Sequence, residues 1–240
     1  MLQTLDLYGL NLQMNLSAMS MPVQKVYERL FVAFGPQHWW PGRTRLEIIV
    51  GAILTQNTAW TNVERAIRRL KKARALNLHR LHTADLETLA ERIRPAGYYH
   101  VKARRLRAFT QRMVDRFDGD LRKLFMLETS ALRHVLLDIN GIGPETADSI
   151  LLYAAGRSVF VVDAYTRRFM MRHGWIGREA TYEKIAQMFM EQGPGTAAWC
   201  NEYHALIVAL GKDLCRPAPR CSECPLRSML PNGVICKHEQ

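Results

Sequence analysis

Leu136 to Ala147 reads L-L-D-I-N-G-I-G-P-E-T-A, and this stretch decides the fold. Gly141 and Gly143 flank Ile142, which allows a tight turn with backbone angles that other residues rarely adopt. Pro144 suits the first position of a following helix, where its missing N–H costs nothing. The turn and the helix N-terminus therefore predict an outward-facing row of amides that binds a DNA phosphate. The alternative interpretation is a plain connection between two helices.

Apolar residues recur at helical spacing on both sides of this turn and over most of the chain, which predicts a nearly all-α protein. The only β-like run, 159–162, is too short and isolated to start a sheet. Thr44 with Glu47 has the spacing of a capping box, and Asn62 is a candidate cap for a second helix. The predicted helices cover 44–72 (one or two helices), 85–93, 102–117, 130–138, 144–155, 182–192 and 196–212.

The 240 residues include 33 Lys and Arg against 22 Asp and Glu, a formal net charge of +11. A positive field of this size favours an acidic partner such as nucleic acid or an anionic membrane surface, although a basic enzyme without such a partner has the same composition. Residues 1–22 contain too many polar side chains to span a membrane and lack the basic start of a secretory signal. We therefore expect a cytoplasmic protein with no membrane partner.

Several motifs occur together and in a fixed order. After the hairpin come V-V-D-A-Y-T-R-R (161–168), and before it I-L-T-Q-N-T (53–58) and G-Y-Y (97–99). With the C-terminal cysteines, this set resembles the helix–hairpin–helix (HhH-GPD) DNA glycosylases of the endonuclease III superfamily over about residues 25–236. The resemblance implies an all-α, two-lobed fold with a C-terminal cysteine-bound metal-cluster loop. It also implies that the protein binds damaged double-stranded DNA as a monomer.

The same resemblance suggests four segments. Residues 1–21 would be a loose N-terminal arm or a mis-assigned start, because Met14, Met19 and Met21 are all candidate first residues. Residues 22–43 plus 128–212 would form the lobe with the hairpin, 44–127 a helical-barrel lobe, and 213–240 a cluster-binding tail.

Asp163 is the predicted catalytic carboxylate, because the family places its aspartate at this motif position. An ionised carboxylate there would stabilise the positive charge that develops on the sugar when an N-glycosidic bond breaks. An aspartate before a helix is also an ordinary N-cap, and the two roles are compatible.

Glu145 stands where bifunctional family members carry a lysine that forms a Schiff base with the sugar. A carboxylate cannot form an imine, so the sequence predicts a monofunctional glycosylase that lacks lyase activity. Glu145 would either order a water molecule or lie on the surface near a helix N-terminus, where an anion is favoured.

Aromatic residues and further motif positions indicate the substrate. The set W-W-P (39–41), L-T-Q-N-T, G-I-G-x-E-x-A-D and N-E-Y-H-A-L-I-V looks most like the 3-methyladenine DNA glycosylase III branch. That resemblance places four residues around the base pocket, where electron-rich rings would attract a cationic alkylated purine. The four are Trp39, Trp40, Pro41 and Trp60. The alternative is that the tryptophans are core residues, as most tryptophans are.

The resemblance also brings Lys212 near the active site, although a lysine at a helix C-terminus has an ordinary explanation in the helix dipole. Gln56 is expected to fill the gap left by a flipped base, and Tyr98 or Tyr99 to wedge into the base stack. The alternative for the tyrosines is a loop packed on the core.

Four cysteines lie in the last 26 residues, in an irregular proline-rich segment. In a reducing compartment they favour a metal site over disulfides, whereas Cys200 fits a buried thiol. The family resemblance implies a [4Fe–4S] cluster, with structural Zn as the alternative. The cysteines are Cys215, Cys221, Cys224 and Cys236. Their spacing, C-x5-C-x2-C-x11-C, departs most from the family pattern at Cys236.

The sequence thus predicts a base excision repair enzyme that hydrolyses alkylated purines of the 3-methyladenine type from DNA. The alternatives are a glycosylase of the same fold for mismatched or oxidised bases, and a DNA-structure-binding protein that has lost the chemistry.

Overall fold

The structure is a computed structural model that describes residues 21–39 and 42–231. Every regular element in these residues is helical, as predicted. Twelve α-helices are described, and short 3₁₀ turns occur at 94–96, 221–223 and 227–229. The helices are α1 (Val23–Phe34), α2 (Arg45–Leu54), α3 (Trp60–Lys72), α4 (Leu78–Thr83), α5 (Leu86–Ile93), α6 (Tyr99–Phe117), α7 (Leu121–Phe125), α8 (Thr129–Leu137), α9 (Pro144–Ser149), α10 (Ala164–Arg172), α11 (Tyr182–Gln192) and α12 (Ala197–Asp213).

Helix starts follow local capping chemistry. Thr44 caps α2 by accepting from the Glu47 amide at 3.2 Å, which confirms the predicted start. The Glu47 carboxylate does not complete the capping box but pairs with Lys71 Nζ at 2.7 Å. The predicted cap at Asn62 is wrong, because α3 begins at Trp60 and Asn62 lies inside its first turn.

Two helices form the centre of the packing. All residues of α2 from Glu47 to Leu54 are buried, because its apolar side chains surround the helix on every side. It packs against α3 and α6 on one side and against α9 and its continuation on the other. Helix α12 packs in the same way against α1 and α10. The predicted buried thiol is confirmed, since Cys200 in α12 is fully buried.

One predicted helix differs from the structure, whereas the β-like run forms no strand, as expected. The predicted helix 144–155 changes after Ser149 into a π-helical turn over Ile150–Ala154. Residues 159–162 have no regular secondary structure, and Phe160 stacks on Phe189 with ring centroids 3.8 Å apart. The segment is apolar because it crosses the core just before Asp163.

Helices α1, α4 and α7 were not among the predicted elements. Met21 is fully buried, so a loose arm does not extend to residue 21. The rest of that prediction, 1–20, lies outside the described residues. No helix in the described ranges is long and apolar enough to cross a membrane.

Candidate active site

Asp163 is held at the N-terminus of α10 by its own capping bonds. Its Oδ1 accepts from the Thr166 amide at 2.7 Å and from Thr166 Oγ1 at 2.8 Å. Only 13% of the Asp163 side chain is exposed, and Oδ2 lies 3.6 Å from His204 Nε2. One carboxylate oxygen is therefore fixed by the helix, and the other points at a second element of the fold.

His204 continues a chain of polar groups into the core. It is only 6% exposed on α12, and its Nδ1 lies 2.6 Å from the buried Tyr153 hydroxyl. Burial by itself would raise the pKa of Asp163, but the contact with His204 Nε2 and the Thr166 bonds hold that pKa below its ordinary value. Asp163 is therefore an ionised carboxylate in a largely dry site.

Aromatic rings cover this polar chain. The Trp39 ring meets the Tyr153 ring edge to face, with centroids 5.0 Å apart, and lies 6.0 Å from the His204 ring. Trp60 contacts Trp39 with centroids 6.3 Å apart and covers Gly51 of α2. Of the four predicted pocket residues, Trp39 thus lies beside His204, the partner of Asp163, and Trp60 packs on Trp39. Trp40 and Pro41 lie outside the described residues.

Glu145 lies close to Asp163. Partial burial and the negative charge of Asp163 both raise the pKa of Glu145, while His204 and Arg167 act in the opposite direction. It also lines an open groove of about 850 Å³ that the hairpin residues and Gln56 share. Glu145 is an exposed side chain in the first turn of α9 at this groove, a position that fits both predicted roles.

The hairpin has the geometry that its glycines predict. Gly141 has φ of +86°, which favours glycine, whereas Gly143 is extended and caps α9. The side chain of Ile142 is buried, so it faces the core and leaves only backbone atoms toward the groove.

Gln56 is bound to the hairpin rather than extended into the groove. Its Nε2 donates to the Gly141 carbonyl at 3.0 Å and to Thr146 Oγ1 at 2.9 Å, and Arg105 donates to its Oε1. Filling the space of a flipped base would require Gln56 to release these bonds.

The two tyrosines at the start of α6 differ in exposure. Tyr98 is 72% exposed with a left-handed backbone, φ of +45°. Tyr99 is half-buried, packs against His100, and lies under the Arg94 guanidinium. Of the two predicted wedge residues, only Tyr98 presents a largely free ring.

No hydrogen bond or ion pair joins Lys212 to Asp163. Lys212 is exposed in the last turn of α12 and makes no hydrogen bond or ion pair with any residue that the structure describes. Eight residues separate it from His204, which corresponds to about 12 Å along the helix axis. The neighbouring Gly211 packs against Tyr165 near the start of α10, and the place of Lys212 near the active site stays a prediction.

Three of the four C-terminal cysteines line one cavity. Cys215 is buried and accepts from Arg172 Nη1 at 3.3 Å, and Arg168 Nε donates to the Cys215 carbonyl at 2.7 Å. Burial, followed by the neighbouring thiols of Cys215 and Cys221, raises the pKa of Cys224. Within residues 21–39 and 42–231 no three His, Cys, Asp or Glu side chains form a single-ion site. Cys236 lies outside the described residues.

The positive charge is concentrated in one part of the chain. Residues 44–127 contain 18 Lys and Arg and 8 Asp and Glu, a net +10 of the total +11. These residues form α2 to α7 and include Gln56 and Tyr98. The hairpin and Asp163 belong to the remainder, which is close to neutral.

Sequence reasoning missed His204 and Tyr153 as site residues. The signal that was available is a single histidine in the otherwise apolar stretch 203–210 of α12. A titratable side chain on a buried face needs a polar partner. The sequence does not show that its partners are Asp163 and Tyr153.

This arrangement agrees with a family comparison. Residues 50–194 match the HhH-GPD superfamily of base excision DNA repair proteins, which is more than half of the chain. The chain belongs to this family and is a base excision repair DNA glycosylase, a hydrolase that acts on N-glycosyl bonds. The predicted family and all-α fold are confirmed.

Individual relatives extend the comparison. A Methanocaldococcus jannaschii protein provisionally named a DNA repair glycosylase is 46% identical over 207 residues, 85% of this chain and 94% of that protein. The H. pylori 3-methyladenine DNA glycosylase bound to 1,N6-ethenoadenine is 28% identical, with TM-score 0.68 over 79% of this chain and 97% of that chain. An endonuclease III–DNA complex shares the fold, with 22% identity and TM-score 0.76 over 88% of this chain and 94% of that chain.

Proposed function

We propose that this protein is a monofunctional DNA glycosylase that releases alkylated purines of the 3-methyladenine type and leaves an abasic site. The observation that carries the proposal is a group of electron-rich rings, in which Trp60 packs on Trp39 and Trp39 packs on Tyr153 and on His204, the residue that contacts the ionised Asp163. Aromatic faces attract a cationic base, and an alkylated purine carries that charge. The similarity to a 3-methyladenine DNA glycosylase supports the same substrate class.

The chemistry follows from the position of Asp163. An N-alkylated purine is already a good leaving group, so the enzyme has little need to protonate it. The negative charge of Asp163 would stabilise the oxocarbenium-like sugar and orient the attacking water. Because the site is largely dry, this charge acts with less screening than it would in water.

Absence of lyase chemistry is part of the proposal. Glu145 occupies the position of the Schiff-base lysine and cannot form an imine. The buried lysine nearest in sequence to the motif loops is Lys102, and burial lowers its pKa to about 8. Its amine is not available as a nucleophile, since it is 1% exposed and donates to the carbonyls of Leu54 and Ala96 at 2.9 and 2.7 Å.

Duplex DNA would lie across the groove beside the hairpin. The hairpin would hold a phosphate through backbone atoms, and the basic part of the chain, 44–127, would attract the rest of the duplex. We propose this part as one lobe and residues 22–43 with 128–212 as the other, in a monomer. The exposed Tyr98 is the proposed wedge residue.

The cysteine tail is proposed to bind a [4Fe–4S] cluster. The donor set fits, because three thiols face one cavity and Arg172 already donates to one sulfur. Cys236 would be the fourth ligand. When bound, the cluster would supply structural cohesion to residues 213–240, while Arg168 and Arg172 hold the start of the tail through its carbonyls. Iron and sulfide analysis of the purified protein tests this assignment, and zinc without iron would contradict it.

The function is tested by base release from alkylated duplex DNA, with and without alkali. We expect free 3-methyladenine, with strand breaks only after alkali. Asp163→Asn should abolish release while preserving DNA affinity, and Trp60→Ala should reduce release of the cationic base.

Three results would contradict parts of the proposal. Strand breaks without alkali would overturn the absence of lyase activity. Release only from mismatched or oxidised DNA would overturn the substrate class. Binding without release of any base would leave a DNA-structure-binding protein.

A further inference from the structure

A polar chain behind the catalytic carboxylate has no part in the mechanism above. Tyr153 Oη, His204 Nδ1, His204 Nε2 and Asp163 Oδ2 follow one another at 2.6 Å and 3.6 Å, with the imidazole between. The three residues come from different elements, namely the π-helical turn after α9, helix α12 and the N-cap of α10. Their meeting is a property of the tertiary fold.

The chemistry of Tyr153 and His204 decides which group donates in each contact of this polar chain. Burial raises the pKa of the Tyr153 hydroxyl far above its ordinary value, so this group keeps its proton. A phenol that donates to Nδ1 leaves the proton of a neutral imidazole on Nε2. That N–H then points at Asp163 Oδ2, the oxygen that α10 does not hold.

We propose that Tyr153 and His204 are positioning residues for the glycosylase reaction: Tyr153 selects the Nε2–H tautomer of His204, and His204 orients and keeps ionised the carboxylate of Asp163. Neither residue touches the sugar. Without His204, Asp163 would be a buried carboxylate with hydrogen bonds to only one of its oxygens. The reaction therefore depends on the contact between His204 and the second oxygen. The inference rests on the proposed role of Asp163.

The surroundings restrict the orientation of the His204 imidazole. The Trp39 ring packs against both Tyr153 and His204 and restricts their rotation. The charged group that acts on Asp163 and His204 from a neighbouring helix is Glu145, with Arg167 acting on Glu145, and the further titratable groups near Tyr153 are Tyr182 and Cys200. His204 Nε2 has no hydrogen-bond partner within 3.5 Å among the described residues, so Asp163 Oδ2 is the acceptor toward which it can donate.

The first test compares two substitutions of His204. His204→Ala should slow single-turnover base release by about 10- to 100-fold, the size expected for loss of one hydrogen bond to a charged group, with DNA affinity unchanged. His204→Gln places an amide N–H near the position of Nε2 without a titratable ring, and should restore most of the rate.

The pH profile separates positioning from a general structural defect. Without His204, burial raises the pKa of Asp163, so the acid limb of the His204→Ala rate profile should move to higher pH, and the rate should partly recover there. The limb in His204→Gln should stay close to that of the wild type. Equal loss in both variants, or an unmoved limb in His204→Ala, would overturn the proposal.

A double-mutant cycle tests the role of the hydroxyl. Tyr153→Phe keeps the ring against Trp39 but removes control of the tautomer, so it should slow release in the wild-type background. In His204→Gln there is no tautomer to select, and Tyr153→Phe should add no further loss. If the two substitutions reduce the rate additively, Tyr153 does not act through His204.

The matched control is Tyr203→Phe. Tyr203 neighbours His204 on α12, is fully buried, and donates its hydroxyl to the Val23 carbonyl at 3.0 Å. This variant removes a buried hydrogen bond of the same kind outside the chain, and we expect an acid limb like that of the wild type.

A substrate-free measurement keeps the inference separate from the proposed function. Imidazole ¹⁵N NMR of the intact protein should show His204 as the neutral Nε2–H tautomer, and Tyr153→Phe should admit the Nδ1–H form. A wild-type Nδ1–H tautomer would overturn the inference whatever the substrate. The expected tautomer with no release of any alkylated base would instead mean that only the proposed substrate is wrong.

Discussion

The two hairpin glycines should respond in opposite ways to replacement by alanine. At Gly141 the backbone is left-handed, and a methyl group would lie 2.7 Å from Cδ of Arg105. At Gly143 the backbone is extended, and no heavy atom lies within 4 Å of the added carbon. The same chemical change therefore meets two different environments within three residues.

The expected magnitudes follow from these environments. Gly141→Ala should lower the free energy of unfolding by about 1–2 kcal/mol for the left-handed backbone and by about 1 kcal/mol more if Arg105 loses its bond to Gln56. Gly143→Ala should leave stability unchanged or raise it by about 0.4–1 kcal/mol, because alanine reduces the entropy of the unfolded chain.

Urea unfolding and duplex binding, measured side by side, check this prediction. Gly143→Ala places a methyl group in the open groove, so it should weaken binding to a short undamaged duplex while the protein stays stable. The main effect of Gly141→Ala should be a lower free energy of unfolding in urea. Equal destabilisation by both substitutions would refute the assigned backbone geometry, and unchanged DNA binding by Gly143→Ala would refute close approach of a phosphate to this face.

Three further predictions concern other parts of the chain. Thr44→Ala should cost about 1 kcal/mol of unfolding free energy through loss of a helix cap, whereas Asn62→Ala should change it little; equal effects in urea would contradict the observed starts of α2 and α3. Lys102 has a folded pKa near 8 against 10.5 in the unfolded chain, so the unfolded chain binds more protons between these values. The stability of the wild type should therefore rise from about pH 8 to about pH 10.5 relative to Lys102→Met, and a difference that stays flat over this range would exclude the lowered pKa. Cys224→Ser should lose bound iron, whereas Cys200→Ala, which removes a buried thiol elsewhere, should retain it by metal analysis.

Features that depend on near neighbours in the chain were predictable from the sequence. The glycine spacing in 139–143 predicted the hairpin, and the amphipathic pattern of 182–192 predicted α11 with its observed bounds. Asp163 was both a predicted cap and a predicted site residue, and its capping bonds are confirmed. Capping is decided within one helical turn, so a short window of sequence contains the cause.

Features that depend on distant residues were predicted less well. The start of α3 at Trp60 was missed because Asn62 carries a stronger local capping signal than Ala59. The prediction for Tyr98 and Tyr99 stayed open until the fold showed which ring is exposed.

The sequence by itself determined the helical class, the hairpin and the carboxylate that begins α10, because each depends on periodicity, glycine conformation or capping within a few residues. Tertiary structure alone decided that Tyr153 and His204, 51 residues apart, meet behind Asp163, and that Trp39 covers them. Contacts between such distant residues require the packing of several helices at once. No local pattern specifies which buried polar groups the completed core will bring together.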